Sequence, residues 1–84
     1  MKKRRPLTPG QRRALEAVAL LTERLGRSPS EREVGNQLGI GKAGARYQLL
    51  ECHRRGYMSA PRQTVVGGWA VNRAGQLELD KGDT

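Results

Sequence analysis

The chain has few of the residues on which catalytic, metal-binding and membrane-spanning proteins depend. Its single cysteine, Cys52, excludes an intramolecular disulfide and a multi-cysteine zinc site. Its single histidine, His53, is the next residue, and neighbouring side chains diverge around a helix, so the two make a poor metal site. No Ser/His/Asp set, paired-carboxylate site or phosphate-binding glycine loop is discernible. We therefore expect no enzyme, no cofactor and no bound metal.

Long apolar runs are also missing. The longest, residues 17–21, falls far short of the roughly 20 residues that cross a bilayer. The basic residues 1–5 are followed by Pro6 and polar residues, so we expect no signal peptide. A cytoplasmic protein without a membrane partner fits both observations.

Acidic residues are scarce relative to basic ones. Eight Asp and Glu stand against sixteen Lys and Arg, which gives a net charge of +8 and predicts a polyanionic partner. Residues 42–73 alone carry six basic side chains and one carboxylate. Aromatic residues are few, with no Phe, two Tyr and one Trp, so the paired aromatics of common single-stranded RNA platforms are lacking. Nucleic acid, and duplex DNA in particular, is favoured over an acidic protein surface.

The length of 84 residues predicts one small domain. We expect a disordered basic arm over residues 1–6, a folded domain over 7–79 and a disordered tail over 80–84.

Two helices are predicted from the capping residues at their N-termini. Thr8 with Gln11 forms a capping box for a helix that Gly26 ends, and Ser30 with Glu33 forms a second box for a helix over Glu31–Leu38. The first helix has one apolar face, made of Ala14, Leu15, Val18, Leu21 and Leu25.

A third helix is predicted over Lys42–Arg54, after a tight turn at residues 39–41. Its core face is Ala45, Leu49 and Cys52, at spacings i, i+4 and i+7. Gly35 weakens the second helix, which predicts that another helix approaches closely there.

Two short strands follow and predict a hairpin wing over about residues 57–71. The first covers 57–60, residues 61–63 begin a turn or loop, 64–66 can extend a strand, and 69–71 return. Trp69 is expected to pack rather than to stack on bases. Residues 72–79 fit a helix capped by Asn72 and an alternating strand equally well.

The order of elements, and residues 38–58 in particular, resemble bacterial winged-helix repressors. Residues 6–38 are similar to the first two helices of the LexA-type DNA-binding domain, with Leu-Thr-x-x-Gln and then Pro-Ser-x-x-Glu-Val-x-x-x-Leu-Gly. The resemblance implies an α+β fold, a three-helix winged helix-turn-helix with a C-terminal β-hairpin wing. The chain departs from the LexA pattern in two respects. Its third-helix region is one residue shorter, and it has glycines at 41 and 44, where Ser or Thr is common.

In this fold the third helix enters the major groove, where each base pair shows a distinct pattern of donors and acceptors. The residues left outward are Lys42, Ala43, Arg46 and Tyr47. Arg46 can pair with guanine, Lys42 can reach a base or a phosphate, Ala43 can meet a thymine methyl, and Tyr47 can donate to a phosphate. Gly41 and Gly44 are either simply poor helix formers or allow the backbone to sit deep in the groove.

Further candidate contacts flank this helix. They are Arg62 and Gln63 in the wing, Ser28 and Arg32 near the start of the second helix, and Arg4 and Arg5 in the arm. The arm either enters a minor groove or remains solvated.

The sequence therefore predicts a small regulator of transcription that binds duplex DNA sequence-specifically and is associated with the nucleoid. The resemblance implies a repressor, while the residues themselves leave activation and repression open. A homodimer on a paired operator would raise its affinity. The alternatives are a recombination or architectural DNA-binding accessory protein and a winged-helix protein-interaction module.

Overall fold

A computed structural model describes residues 6–63 and 68–81, with the side chain of Gln63 excluded. In these segments the helices are α1 (Pro9–Leu25), α2 (Glu31–Leu38), α3 (Lys42–Arg54) and α4 (Arg73–Asp80). Strands β1 (Met58–Ser59) and β2 (Ala70–Val71) pair antiparallel, with Met58 opposite Val71 and Ser59 opposite Ala70. A short 3-10 helix covers Pro61–Gln63, where a turn or loop was predicted.

The first two helices begin and end as predicted because their signals are local. At α1 the Thr8 side chain accepts from the Gln11 backbone, the Gln11 side chain accepts in return, and Gly26 closes the helix at φ 68°. Ser30 and Glu33 form the same box at α2, which Gly39 ends at φ 72°. Both capping boxes are confirmed.

The core lies where α1, α2, α3 and the hairpin meet. It consists of Ala14, Leu15, Ala17, Val18, Leu21, Val34, Ala45, Leu49, Cys52, Tyr57, Met58 and Trp69. The predicted core face of α3 and the packing of Trp69 are thereby confirmed. The prediction that Leu25 belongs to the apolar core face of α1 is wrong. Leu25 is 40% exposed, because the buried face of α1 ends one turn earlier, at Leu21.

Gly35 is the point where α2 and the following turn come together. A Cβ there would lie 2.9 Å from the carbonyl oxygen of Ile40 and 3.3 Å from that of Gly41. The Ile40 amide also donates back to the Gly35 carbonyl at 2.9 Å. The prediction that another helix approaches Gly35 is wrong, because the backbone of the α2–α3 turn fills that space.

The return strand is fastened to the segment that precedes α2. The Trp69 amide donates to the Pro29 carbonyl at 3.0 Å, and a Cβ on Gly68 would lie 2.5 Å from the Ser28 carbonyl oxygen. The strands are shorter than predicted, two residues each, and the strand residues expected at 64–66 lie outside the described segments. The hairpin therefore rests on the turn between α1 and α2.

Residues 73–80 form a helix, which decides between the two predicted alternatives. Asn72 caps it by accepting from the Gly75 amide at 2.8 Å, and the Asn72 side chain donates to the Gly56 carbonyl at 2.9 Å. Gly75 packs directly on the backbone of Tyr57. The expected three-helix architecture thus gains a fourth helix, and the fold remains α+β.

The ends of the predicted domain are described only in part. Residues 1–5 and 82–84 lie outside the described segments, while α4 includes Asp80. The basic arm over 1–6, the domain over 7–79 and the tail over 80–84 stay predictions.

Candidate nucleic-acid interface

The third helix has one face fixed in the core and one face in solvent. Ala45, Leu49 and Cys52 are fully buried, with 0% exposure. The four residues predicted to point outward, Lys42, Ala43, Arg46 and Tyr47, are all exposed, and Tyr47 retains 62% of its accessible surface. The core contacts thus fix which side of α3 a partner can reach.

Arg46 is tied to the neighbouring helix. Its Nη1 atom donates to Oε2 of Glu31 at 2.7 Å. The Arg46 side chain remains 59% exposed, whereas that of Glu31 is only 14% exposed. Glu31 is the first residue of α2, and the turn at Gly39–Gly41 brings that end of α2 alongside the outer face of α3.

Sequence reasoning missed Glu31. The two residues are fifteen apart, so no helical spacing joins them, and only the angle between α2 and α3 brings them together. The available signal was a carboxylate at the first position of α2 in a helix-turn-helix whose second helix carries an outward arginine.

The beginning of α3 is open. Gly41 is its N-cap residue, it makes no side-chain capping bond, and the first turn carries no acidic residue. Because the first amides of a helix have no partner within the helix, this end is a positive pole beside Lys42. A Cβ on Gly41 would meet nothing within 4 Å, and one on Gly44 would meet only Ile40, at 3.6 Å or more.

The residues near the start of α2 have different surroundings. Arg32 is exposed, while Ser28 is partly buried and its carbonyl oxygen faces Gly68. Arg27 makes a two-pronged pair with Glu33, at 2.9 Å and 2.7 Å. This pair, with the Ser30 amide, lowers the pKa of Glu33 to about 2.

The wing is described in part. Arg62 is exposed in the 3-10 helix that follows β1. The side chain of Gln63 and the whole of Arg4 and Arg5 lie outside the described residues. Of the two residues predicted to bind DNA from the wing, Arg62 is therefore the one whose side chain the structure describes.

Not all the basic residues of the 42–73 segment are available to a partner. Arg55 donates at 2.7 Å to the Pro6 carbonyl and at 2.7 Å to the Gln11 side chain, so it fastens the end of α3 to the start of α1. Arg54 pairs with Glu51 at 3.2 Å. Within the described segments, the side chains of Lys42, Arg62 and Arg73 make no hydrogen bond or ion pair. In the described part of this segment, the unpaired positive charge thus lies at the start of α3, in the wing and at the start of α4.

Cys52 and His53 both serve the fold. The Cys52 thiol donates to the Gln11 carbonyl at 3.3 Å, and burial raises its pKa to about 12. His53 Nδ1 lies 2.8 Å from the Met58 carbonyl oxygen. The predicted core packing of Cys52 is confirmed.

No helix in the described segments combines the length and the apolar character needed to cross a bilayer.

The helix pair, the hairpin behind it and the buried core face of α3 define a winged helix-turn-helix domain of the α+β class. The chain is similar to a LexA repressor of Frankia casuarinae, with 40% identity over 90 aligned positions that take in 87% of this chain and 35% of the repressor. The predicted resemblance to LexA-type repressors is confirmed by this match. The chain spans about a third of the length of the curated relative it matches. No profile of a known protein family matches the chain.

Proposed function

We propose that the chain binds double-stranded DNA sequence-specifically and acts as a regulator of transcription. The observation that carries the proposal is the outer face of α3. This face is exposed and basic, and the buried Ala45, Leu49 and Cys52 fix its direction. An α-helix fits the B-DNA major groove, and a helix-turn-helix places its second helix there while the first crosses the backbone.

The four outward residues of α3 would divide the contacts among them. Arg46 keeps exposed guanidinium donors that suit the O6 and N7 acceptors of guanine. Lys42, beside the open N-terminal end, would reach a phosphate or a base edge. Ala43 suits a thymine methyl group, and the hydroxyl of Tyr47 suits a phosphate oxygen.

Flanking contacts would position the helix rather than read bases. Arg62 and Gln63 would meet backbone or minor groove from the wing, and Arg32 would meet a phosphate beside α2. Arg4 and Arg5 would add affinity from the arm. Ser28 is a weaker candidate than its sequence position indicated, since it is partly buried beneath the return strand.

The regulatory role draws on the relative, whose name is that of a repressor. One domain of this size contacts a short stretch of duplex, so two copies on a paired site would reach useful affinity more readily than one. We therefore propose a homodimer on DNA and a location on the bacterial chromosome. The function needs no catalytic residue and no cofactor.

Selection of bound sequences from a random duplex pool tests the proposal. We expect an enriched motif containing a guanine, and affinity that falls steeply with salt because phosphate binding releases counterions. Replacing Lys42 and Arg46 together by Ala should abolish the enrichment. The matched control is Arg54→Ala, which removes an exposed charge from the far end of the same helix.

Other outcomes would favour the alternatives. Salt-sensitive binding without an enriched sequence would indicate an architectural or recombination accessory protein. Undetectable duplex binding at low salt would contradict the proposal and favour a protein-interaction module.

A further inference from the structure

The contact between Glu31 and Arg46 joins the two helices of the helix-turn-helix. The Glu31 side chain is largely buried, with 14% exposure, and its Oε2 atom accepts a hydrogen bond from Arg46 Nη1 at 2.7 Å. In the described part of the chain, Glu31 makes no other side-chain hydrogen bond or ion pair. Its carboxylate is therefore committed to Arg46 in the free protein.

The contact occupies only one corner of the guanidinium group. Arg46 Nη2 and Nε have no partner among the described residues, and the side chain is 59% exposed. The guanidinium is planar, with donors in a fixed fork, so holding Nη1 sets the plane in which the remaining donors point. The Nε–Nη2 edge can then offer two parallel hydrogen bonds to one guanine.

The charge balance gives the contact a second consequence. A carboxylate on the DNA-facing side of α2 repels phosphates, and its pairing with Arg46 offsets part of the charge that Arg46 brings. Because non-specific binding depends on net positive charge, the pair reduces attraction to arbitrary duplex. A fixed bidentate fork keeps its discrimination between bases.

We propose that Glu31 is a positioning residue that determines specificity, holding Arg46 in the orientation that reads a guanine while lowering the affinity for non-cognate DNA. The inference rests on the proposed function, since it concerns the same α3 surface.

The test compares base preference in four proteins, each measured on the selected site and on the three duplexes in which its Arg46-dependent guanine is replaced. The variants are Glu31→Ala, which leaves no acceptor for Arg46, Arg46→Lys, and the control Glu23→Ala, which removes one exposed carboxylate from α1. The guanine is identified as the position at which Arg46→Lys loses discrimination. Circular dichroism and thermal unfolding confirm that each variant is folded.

Glu31→Ala is expected to lower discrimination at that guanine about tenfold, within the range of a bidentate contact. Preference at the other positions should remain, and affinity for random duplex should rise a few-fold. Glu23→Ala should leave base preference unchanged.

Two results would overturn the inference while leaving the proposed function standing. They are unchanged discrimination at the guanine in Glu31→Ala, and an equal loss at every position of the site. If the unaltered protein shows no sequence preference, or if Arg46→Lys changes none, the proposed reading by Arg46 fails and the role of Glu31 fails with it.

Discussion

A Cβ atom added to Gly44 would lie 3.6 Å from Cδ1 of Ile40, an ordinary van der Waals distance. Packing therefore does not require a glycine at this position, and a Cβ on Gly41 would meet nothing within 4 Å. Both glycines lie on the exposed start of α3. Since packing does not require them, they are either simply poor helix formers or positions at which the proposed DNA partner approaches the backbone closely.

The first prediction concerns Gly44→Ala. Alanine removes the conformational cost of a glycine inside a helix, so the free energy of unfolding should rise by about 0.5–1 kcal/mol. If the α3 backbone approaches the groove closely, the same methyl group should weaken binding to the selected duplex. Denaturant unfolding and fluorescence anisotropy measure the two effects. Greater stability with unchanged affinity would mean that the glycine only weakens the helix.

The second prediction is that Gly35→Ala has the opposite effect and lowers the free energy of unfolding. The new Cβ would lie 2.9 Å from the Ile40 carbonyl oxygen, so the turn between α2 and α3 would have to move. We expect a loss of about 1–3 kcal/mol in the free energy of unfolding, as for an overpacked core. Denaturant unfolding of Gly35→Ala and Gly44→Ala compares the same substitution at two positions. An equal gain in the free energy of unfolding in both variants would contradict the described turn.

The third prediction tests the attachment of α4. Asn72 both caps this helix and bonds Gly56, so Asn72→Ala should lower the free energy of unfolding by about 1–3 kcal/mol. Arg73→Ala, at the next and exposed position, is the control and should change stability little. Thermal unfolding of both variants checks this. Equal stability of the two would show that the cap contributes nothing.

The fourth prediction concerns the stability of the fold at acidic pH. The folded pKa of Glu33 is lowered from 4.5 to about 2 by Arg27 and the Ser30 amide, so the folded state favours the carboxylate. Its contribution is present above pH 4.5 and is lost as the pH falls toward 2. Glu33→Gln should therefore flatten the pH dependence of unfolding in that window. The same acid slope in Glu33→Gln as in the unaltered chain would assign the effect to other carboxylates.

Local signals explain why the first three helices were predictable. Thr8, Ser30 and the glycines at 26 and 39 act within a few residues of their own helix ends, so the sequence carries them in full. The core face of α3 followed from its spacing for the same reason.

Long-range contacts explain what the sequence left open or wrong. Residues 73–80 form a helix in a setting where the Asn72 side chain also donates to Gly56 and Gly75 packs on Tyr57, contacts that no local pattern contains. The neighbour of Gly35 and the partner of Arg46 depend likewise on how the α2–α3 turn folds back. The outward direction of the Arg46 side chain on α3 was predictable, whereas its ion pair with Glu31 was not.

In the proposed function, the start of α3 lies against duplex DNA. The most direct measurement is a titration of the ¹⁵N-labelled protein with the selected duplex, followed by the shifts of backbone amide signals. We expect the largest shifts at residues 41–47, smaller ones near Arg62 and Arg32, and almost none in α4. Shifts concentrated in α4 or along α1, with residues 41–47 unaffected, would contradict it.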